Sequence, residues 1–201
     1  MLKFPVEAVD CLGFLCSYPY PIPHPPYFLM LGNLGTLPVT VWTHLFRFET
    51  KVMSENHLKL IPTDPYFIPD PSAMNQARQL FDVLMQGSYK TTMEVFATVQ
   101  FIDQGANWET LFCPNCQSVI DVEWWQQAMD RAFERGFLEL GVNVPCCGFR
   151  TTLNDLRYVW PAGFARFRLA AINPPSDLSD EHLRELEHIL GKSLRKIWAH
   201  Y

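Results

Sequence analysis

Residues 164–201 read "FARFRLAAINPPSDLSDEHLRELEHILGKSLRKIWAHY", and three elements follow one another in that text. Alternation over 164–172 puts Phe164, Arg166 and Arg168 on one face of a strand and Ala165, Phe167 and Leu169 on the other. A proline turn leads to Ser179, an N-cap whose hydroxyl can accept from a free amide of the first turn. Asp180 and Glu181 follow it, where the helix dipole favours negative charge. Leu183, Leu186, Ile189 and Leu190 recur at helical spacing and Gly191 closes a helix over 180–190. Residues 193–201 then form a last strand.

The same order occurs earlier. "HLKLIPTDPYFIP" (57–69) is rich in strand formers, but its prolines restrict it to a sheet edge or to a short strand around Leu58–Ile61. Asp70 before Pro71 reads as an N-cap followed by proline at the first helical position. Ala73, Ala77, Leu80, Phe81 and Leu84 mark the buried stripe of a helix over 71–86, ended by Gly87. "TTMEVFATVQFID" (91–103), β-branched and aromatic, is a strand. Two β-α-β halves in series predict an α+β chain, a ferredoxin-like split β-α-β sandwich with both helices on one face of an antiparallel sheet. Its helices would meet through Leu80, Leu84, Leu186 and Ile189, and Asp103 and Phe164 would lie close together.

The expected organisation is residues 53–103 as the first half, 104–163 as an inserted module and 164–201 as the second half. Residues 1–52 form a Pro-rich extension outside the core fold. That extension holds seven of the sixteen prolines but only three basic and three acidic residues. Met53, followed by a polar lead, reads as an initiator; a genuine Pro-rich tail is the other reading. Residues 27–46 approach the ~20 residues of a bilayer span, but two glycines, an asparagine, a proline and His44 make them a poor one. Asp10 and several prolines interrupt any signal-like core, and a cytoplasmic protein is expected.

The inserted module carries "LFCPNCQS" (111–118) and "VPCCGFR" (144–150). Cys113, Pro114, Asn115 and Cys116 form a C-x-x-C turn in which both thiolates can face one ion at about 2.3 Å. Cys146 and Cys147 complete a set of four, and Gly148 lets the backbone curl behind them. Two close pairs without a secretory signal read as metal binding rather than as a disulfide framework; Cys11 and Cys16 lie apart, in the extension. Four thiolates suit zinc, whose tetrahedral site makes no redox demand. A catalytic zinc usually has a His or carboxylate ligand and an open position, and no histidine lies between Cys113 and Cys147, so the metal is expected to hold structure.

Between the two pairs runs "DVEWWQQAMDRAFERGF" (121–137), with Asp121 as N-cap and Gly136 as stop. Val122, Trp125, Met129, Ala132 and Phe133 form its buried stripe. Trp124 points about 100° from Trp125, so the two cannot both be core. Trp124 packs against the main sheet or stands exposed as a contact residue. A module of this size is too small for a good core unaided, which gives a metal staple physical sense.

"CPNC" resembles the first knuckle of zinc-ribbon proteins, and "PCCG" looks like a shortened second one. The resemblance implies a structural zinc on Cys113, Cys116, Cys146 and Cys147. A ribbon has two residues inside its second pair, so the adjacent Cys146 and Cys147 depart from the pattern. The stretch 164–191 also resembles a group of small bacterial proteins of unknown function, which implies no activity.

Charge bounds the function. Charged residues are 18% of the 201, with a formal net charge of −5. The module's Glu109, Asp121, Glu123, Asp130, Glu134, Glu139 and Asp155 stand against four arginines. Phosphate binding needs clustered Lys and Arg, and the nearest approach is Arg166 and Arg168 on one strand face with Lys196 on a neighbouring candidate strand. Glu185-x-x-His188 has the spacing of carboxylate-bridged metal sites but reads as a solvated helix face. No nucleophile–base pair, phosphate-binding glycine loop or dinucleotide signature is present. The expectation is a non-enzymatic, zinc-stabilised protein–protein interaction or adaptor module, with an immunity-type blocker as one form. A zinc-ribbon nucleic-acid binder and a zinc-dependent enzyme are the alternatives.

Overall fold

The structure is a computed structural model that describes residues 54–201. The Pro-rich extension, Cys11, Cys16, the 27–46 stretch and the Met53 start all lie outside the described residues. In chain order the elements are β1 (Asn56–Pro62), α1 (Pro71–Leu84), β2 (Lys90–Ile102), β3 (Leu111–Phe112), α2 (Val122–Glu134), β4 (Gly141–Asn143) and β5 (Arg150–Thr152). A 3-10 turn (Leu153–Asp155), β6 (Arg157–Tyr158), β7 (Gly163–Ile172), α3 (Asp180–Leu190) and β8 (Leu194–His200) follow. The chain is α+β. Its main sheet has the strand order β2-β7-β1-β8, with antiparallel pairing at every step.

Both helices share one apolar core with one face of that sheet. Ala77 and Phe81 of α1 and Leu186 and Leu190 of α3 bury against Leu58 and Leu60 of β1 and Phe167 and Leu169 of β7. Leu80, Leu84 and Ile189 are half-buried against the same cluster. Local signals set the helix ends. Ser179 Oγ accepts from His182 N at 3.2 Å, and Gly191 takes the left-handed conformation at φ +70°. Asp70 stands at the N-cap of α1, but its side chain caps no amide; Pro71 already removes one free donor there.

Three sequence readings are corrected. β1 is the short strand expected around Leu58–Ile61, but it is an inner strand between β7 and β8 and the edge alternative fails. Pro62 is tolerated because it comes last in β1, where the ladder ends. Lys196 pairs with Leu60, and Leu60 with Leu169, so Lys196 points to the helix side while Arg168 points away from it. Nor is β8 a neighbour of β7. Each cation is engaged: Lys196 with Asp177, Arg168 with Glu94, and Arg166 Nε donates to the Phe96 carbonyl at 3.3 Å. The candidate basic face of Arg166, Arg168 and Lys196 therefore does not form. On α2, Val122 and Phe133 are exposed and the buried residues are Ala128, Met129 and Ala132.

The other face of the sheet holds a charge. Lys59 is 2% exposed. Its Nζ donates to the Asp103 carbonyl at 2.8 Å and to Tyr201 Oη at 2.6 Å, and Tyr201 Oη donates in turn to Asp103 Oδ1 at 2.6 Å. Gly105 makes this corner close: a Cβ there would stand 2.2 Å from the His200 carbonyl oxygen. Burial pushes the Lys59 ammonium down to about 8, outweighing the attraction of Asp103.

Residues 103–162 leave and return at paired positions, Ile102 opposite Gly163. They do not rely on metal alone for a core. Val99 of β2 and Phe164 of β7 join Leu111, Ile120, Met129, Leu140, Leu153 and Tyr158 in one buried cluster. Trp108 stacks on Trp125 with ring centroids 4.5 Å apart, and Trp125 Nε1 donates to Tyr158 Oη at 3.2 Å. Trp124 and Trp125 are both half-buried against this cluster, which corrects the expectation that only one of the adjacent pair could reach a core. Asn154, 3% exposed, locks the seam: Nδ2 donates to Thr63 O at 3.0 Å and Oδ1 accepts from Phe164 N at 3.1 Å and Arg195 Nη1 at 3.0 Å.

Two outcomes test this packing. Leu186→Ala should lower unfolding free energy by roughly 2–5 kcal/mol, read by denaturant melts; a loss under about 1 kcal/mol would mean the two helices do not share a core. The second is a pH effect. The folded Lys59 value of about 8 lies below the 10.5 of a free lysine, so between those values the unfolded chain holds more protons and stability rises with pH. Relative to Lys59→Met, the wild-type chain should gain stability from pH 8 to about 10.5 and keep a constant offset below pH 8.

Candidate metal centre

Cys113, Cys116, Cys146 and Cys147 come together, their four sulfurs all within 4.8 Å of one another. Cys113 is buried and the other three are exposed, so the cluster sits at the surface end of the inserted core. Cys113 Sγ lies 3.7 Å from Cys147 Sγ, and Cys116 Sγ lies 3.3 Å from Cys146 Sγ. A tetrahedral four-thiolate site with metal–sulfur bonds of about 2.3 Å has sulfurs about 3.8 Å apart. The donor set therefore fits one tetrahedral ion with shifts of a few tenths of an ångström to about one.

Two turns build the cluster, and they are the same turn. In the first, Cys113 N donates to Ser118 O at 2.9 Å and Gln117 N to Cys113 O at 3.1 Å. In the second, Val144 N donates to Phe149 O at 3.0 Å and Gly148 N to Val144 O at 2.9 Å. Gln117 and Gly148 both take the left-handed conformation, at φ +61° and +70°. Pro114 and Pro145 occupy the same place, where a fixed φ suits the first corner of a turn. In this correspondence Cys147 matches Cys116, Cys146 matches Asn115, and the buried Val144 matches the buried Cys113. The second pair is thus not a shortened knuckle. It is a full-length one that carries its first sulfur two residues late.

Side chains around the sulfurs set their charge. Ser118 Oγ lies 3.4 Å from Cys116 Sγ; the hydroxyl and amide of Ser118, with Cys146 behind them, hold the Cys116 thiol down to about 6. Desolvation, then hydrogen bonding to the three neighbouring sulfurs, pushes Cys146 up to about 12. Asn115 Nδ2 reaches across to Cys147 Sγ at 3.7 Å, a donor that offsets part of the thiolate's negative charge. Asn115 and Ser118 went unread in the sequence, because their roles depend on contacts across the cluster. The x-Pro-x-Cys text shared by "CPNC" and "VPCC" was the available signal.

Glu185 and His188 are both exposed, as a solvated face requires. Beside the cluster, Val119 is 61% exposed and Phe149 42%. A cleft of about 270 Å³ between α2 and β4 is lined by Trp124, Arg131, Arg135, Glu139 and Val142, with Arg135 paired to Glu139. Among the described residues no helix is long and apolar enough to cross a membrane. Compared with known proteins, the chain matches no family model, no curated protein and no solved structure.

The two left-handed corners give opposite substitutions opposite signs. A non-glycine residue in that conformation costs roughly 1–2 kcal/mol. Gly148→Ala should destabilise the metal-loaded protein by about 1 kcal/mol, whereas Gln117→Gly should be neutral or stabilising by up to about 1 kcal/mol. Thermal unfolding of the three proteins side by side reads both.

Proposed function

We propose that this chain is a zinc-stabilised protein–protein interaction module of a reducing, cytoplasmic compartment, without catalytic activity of its own. Its frame is a ferredoxin-like split β-α-β sandwich. Supporting that frame are the antiparallel order β2-β7-β1-β8 and the two helices buried on one sheet face. The inserted module is zinc-ribbon-like, with Cys113, Cys116, Cys146 and Cys147 on one structural zinc; its support is two matching turns that bring the four sulfurs together.

One observation carries the interaction reading. Exposed apolar side chains flank both metal-binding turns, with Val119 and Val122 after the first and Phe149 after the second. A metal that fixes the two turns fixes these side chains too, which lowers the ordering entropy a partner must overcome. Acidic Asp121 and Glu123 stand beside them, so the partner surface we expect is apolar with a basic rim. The nucleic-acid alternative loses its supporting feature, because Lys196 does not share a face with Arg166 and Arg168.

The full chain purified without chelator should contain one zinc. Removing it should free amide exchange in 113–118 and 144–149 while the near-ultraviolet signal of Trp108 and Trp125 persists, since the inserted core continues into β2 and β7. Absence of zinc from freshly purified protein whose four cluster thiols are free sinks the metal reading. Val119→Ser with Phe149→Ser should keep the zinc and lose a partner retained by the wild-type chain. Retention of nucleic acid that weakens with salt would turn the reading to the alternative.

A further inference from the structure

The correspondence between the two turns singles out one sulfur. Cys113, Cys116 and Cys147 stand at positions that both turns present to the ion: the buried first residue, and the fourth residue just before the left-handed corner. Cys146 stands at the third, outward position. In the first turn that position holds Asn115, which reaches Cys147 Sγ as a hydrogen-bond donor. By the same geometry Cys146 reaches the sulfur of Cys116, at 3.3 Å, where a tetrahedral site asks for about 3.8 Å. Like Cys116 and Cys147 it is exposed, but it alone occupies no turn position that presents a sulfur to the ion, and it shares one peptide unit with the ligand Cys147. The buried position that would supply a fourth well-placed ligand is taken by Val144.

We propose that Cys146 is the exchangeable ligand of this centre, so that three thiolates (Cys113, Cys116 and Cys147) hold the ion and the fourth position opens to an incoming thiol. This rests on the zinc reading above and deepens it. In the exchange the metal–sulfur bond to Cys146 breaks and one to the incoming sulfur forms. The proton of the incoming thiol ends on Cys146, and neither the metal nor any sulfur changes oxidation state. The ligand class is a thiol, on a small molecule or on a partner's cysteine side chain, and the exposed side of the cluster is its route of entry.

The test uses the full chain loaded with cobalt(II), whose visible bands report tetrahedral thiolate coordination, and 2-mercaptoethanol as the probe. Cys146→Asn should still bind one cobalt, keep a tetrahedral spectrum and lose about one part in four of its sulfur-to-metal charge-transfer intensity. Adding 2-mercaptoethanol should restore that intensity. Cys147→Asn should fail to bind cobalt stoichiometrically. Val144→Cys combined with Cys146→Asn should regain the full intensity and be indifferent to the added thiol, because the ligand then stands where Cys113 stands in the other turn. If the wild-type chain binds cobalt but Cys146→Asn loses it as Cys147→Asn does, or gains nothing from the thiol, this proposal falls and the metal reading survives. A wild-type chain that takes up no metal overturns both.

Discussion

The pairing of Ile102 with Gly163 at the end of the β2–β7 ladder constrains everything built beyond it. The chain must leave the sheet and come back within one strand spacing, about 4.8 Å, so the sixty or so residues between cannot drift as a separate body. Phe101 and Phe164, neighbours at that exit with ring centroids 5.1 Å apart, carry the sheet's apolar surface into the insertion. The Asn154 network then ties the same corner to Thr63 and Arg195. One consequence is a division of labour. Hydrophobic burial holds most of the insertion, and the sulfurs hold only its outer end.

What the sequence made legible follows the range of the signals. Helix α3 could be read from Ser179 to Gly191, because cap, stripe and stop are all encoded within about a dozen neighbouring residues. The alternation of 164–172 likewise needs no distant information. The place of β1 in the sheet could not be read from its own residues. Its partners lie more than a hundred residues away, as the Asn56–Asn173 hydrogen bond illustrates, and prolines near a strand argue for an edge only when the ladder runs past them. Lys196 was misplaced for the same reason: its face is set by the register with Leu60, which no local pattern contains.

At the cluster the cysteines announced themselves by spacing, but the architecture of the second turn did not. The eye counts from cysteine to cysteine, and Cys146 shifts that count by two. Counting from proline to left-handed corner gives equal turns. Backbone geometry, set by Pro114 and Pro145 and by the corners at Gln117 and Gly148, is thus a steadier guide to such a site than the ligands themselves.

The central place of β1 also bears on how the chain is made. β1 lies between β7 and β8, and its hydrogen-bonded contacts span up to 144 residues, from Asn56 to His200. On the ribosome this strand emerges before either of its neighbours, and its two edges stay unpaired until β7 and then β8 have emerged, more than a hundred residues later. Leu58, Leu60 and Ile61, all fully buried at the end, are exposed throughout that interval. Folding that depends on such late, distant closure is slow and passes through open-edged species. β1 is therefore the segment that a nascent-chain chaperone has most reason to cover.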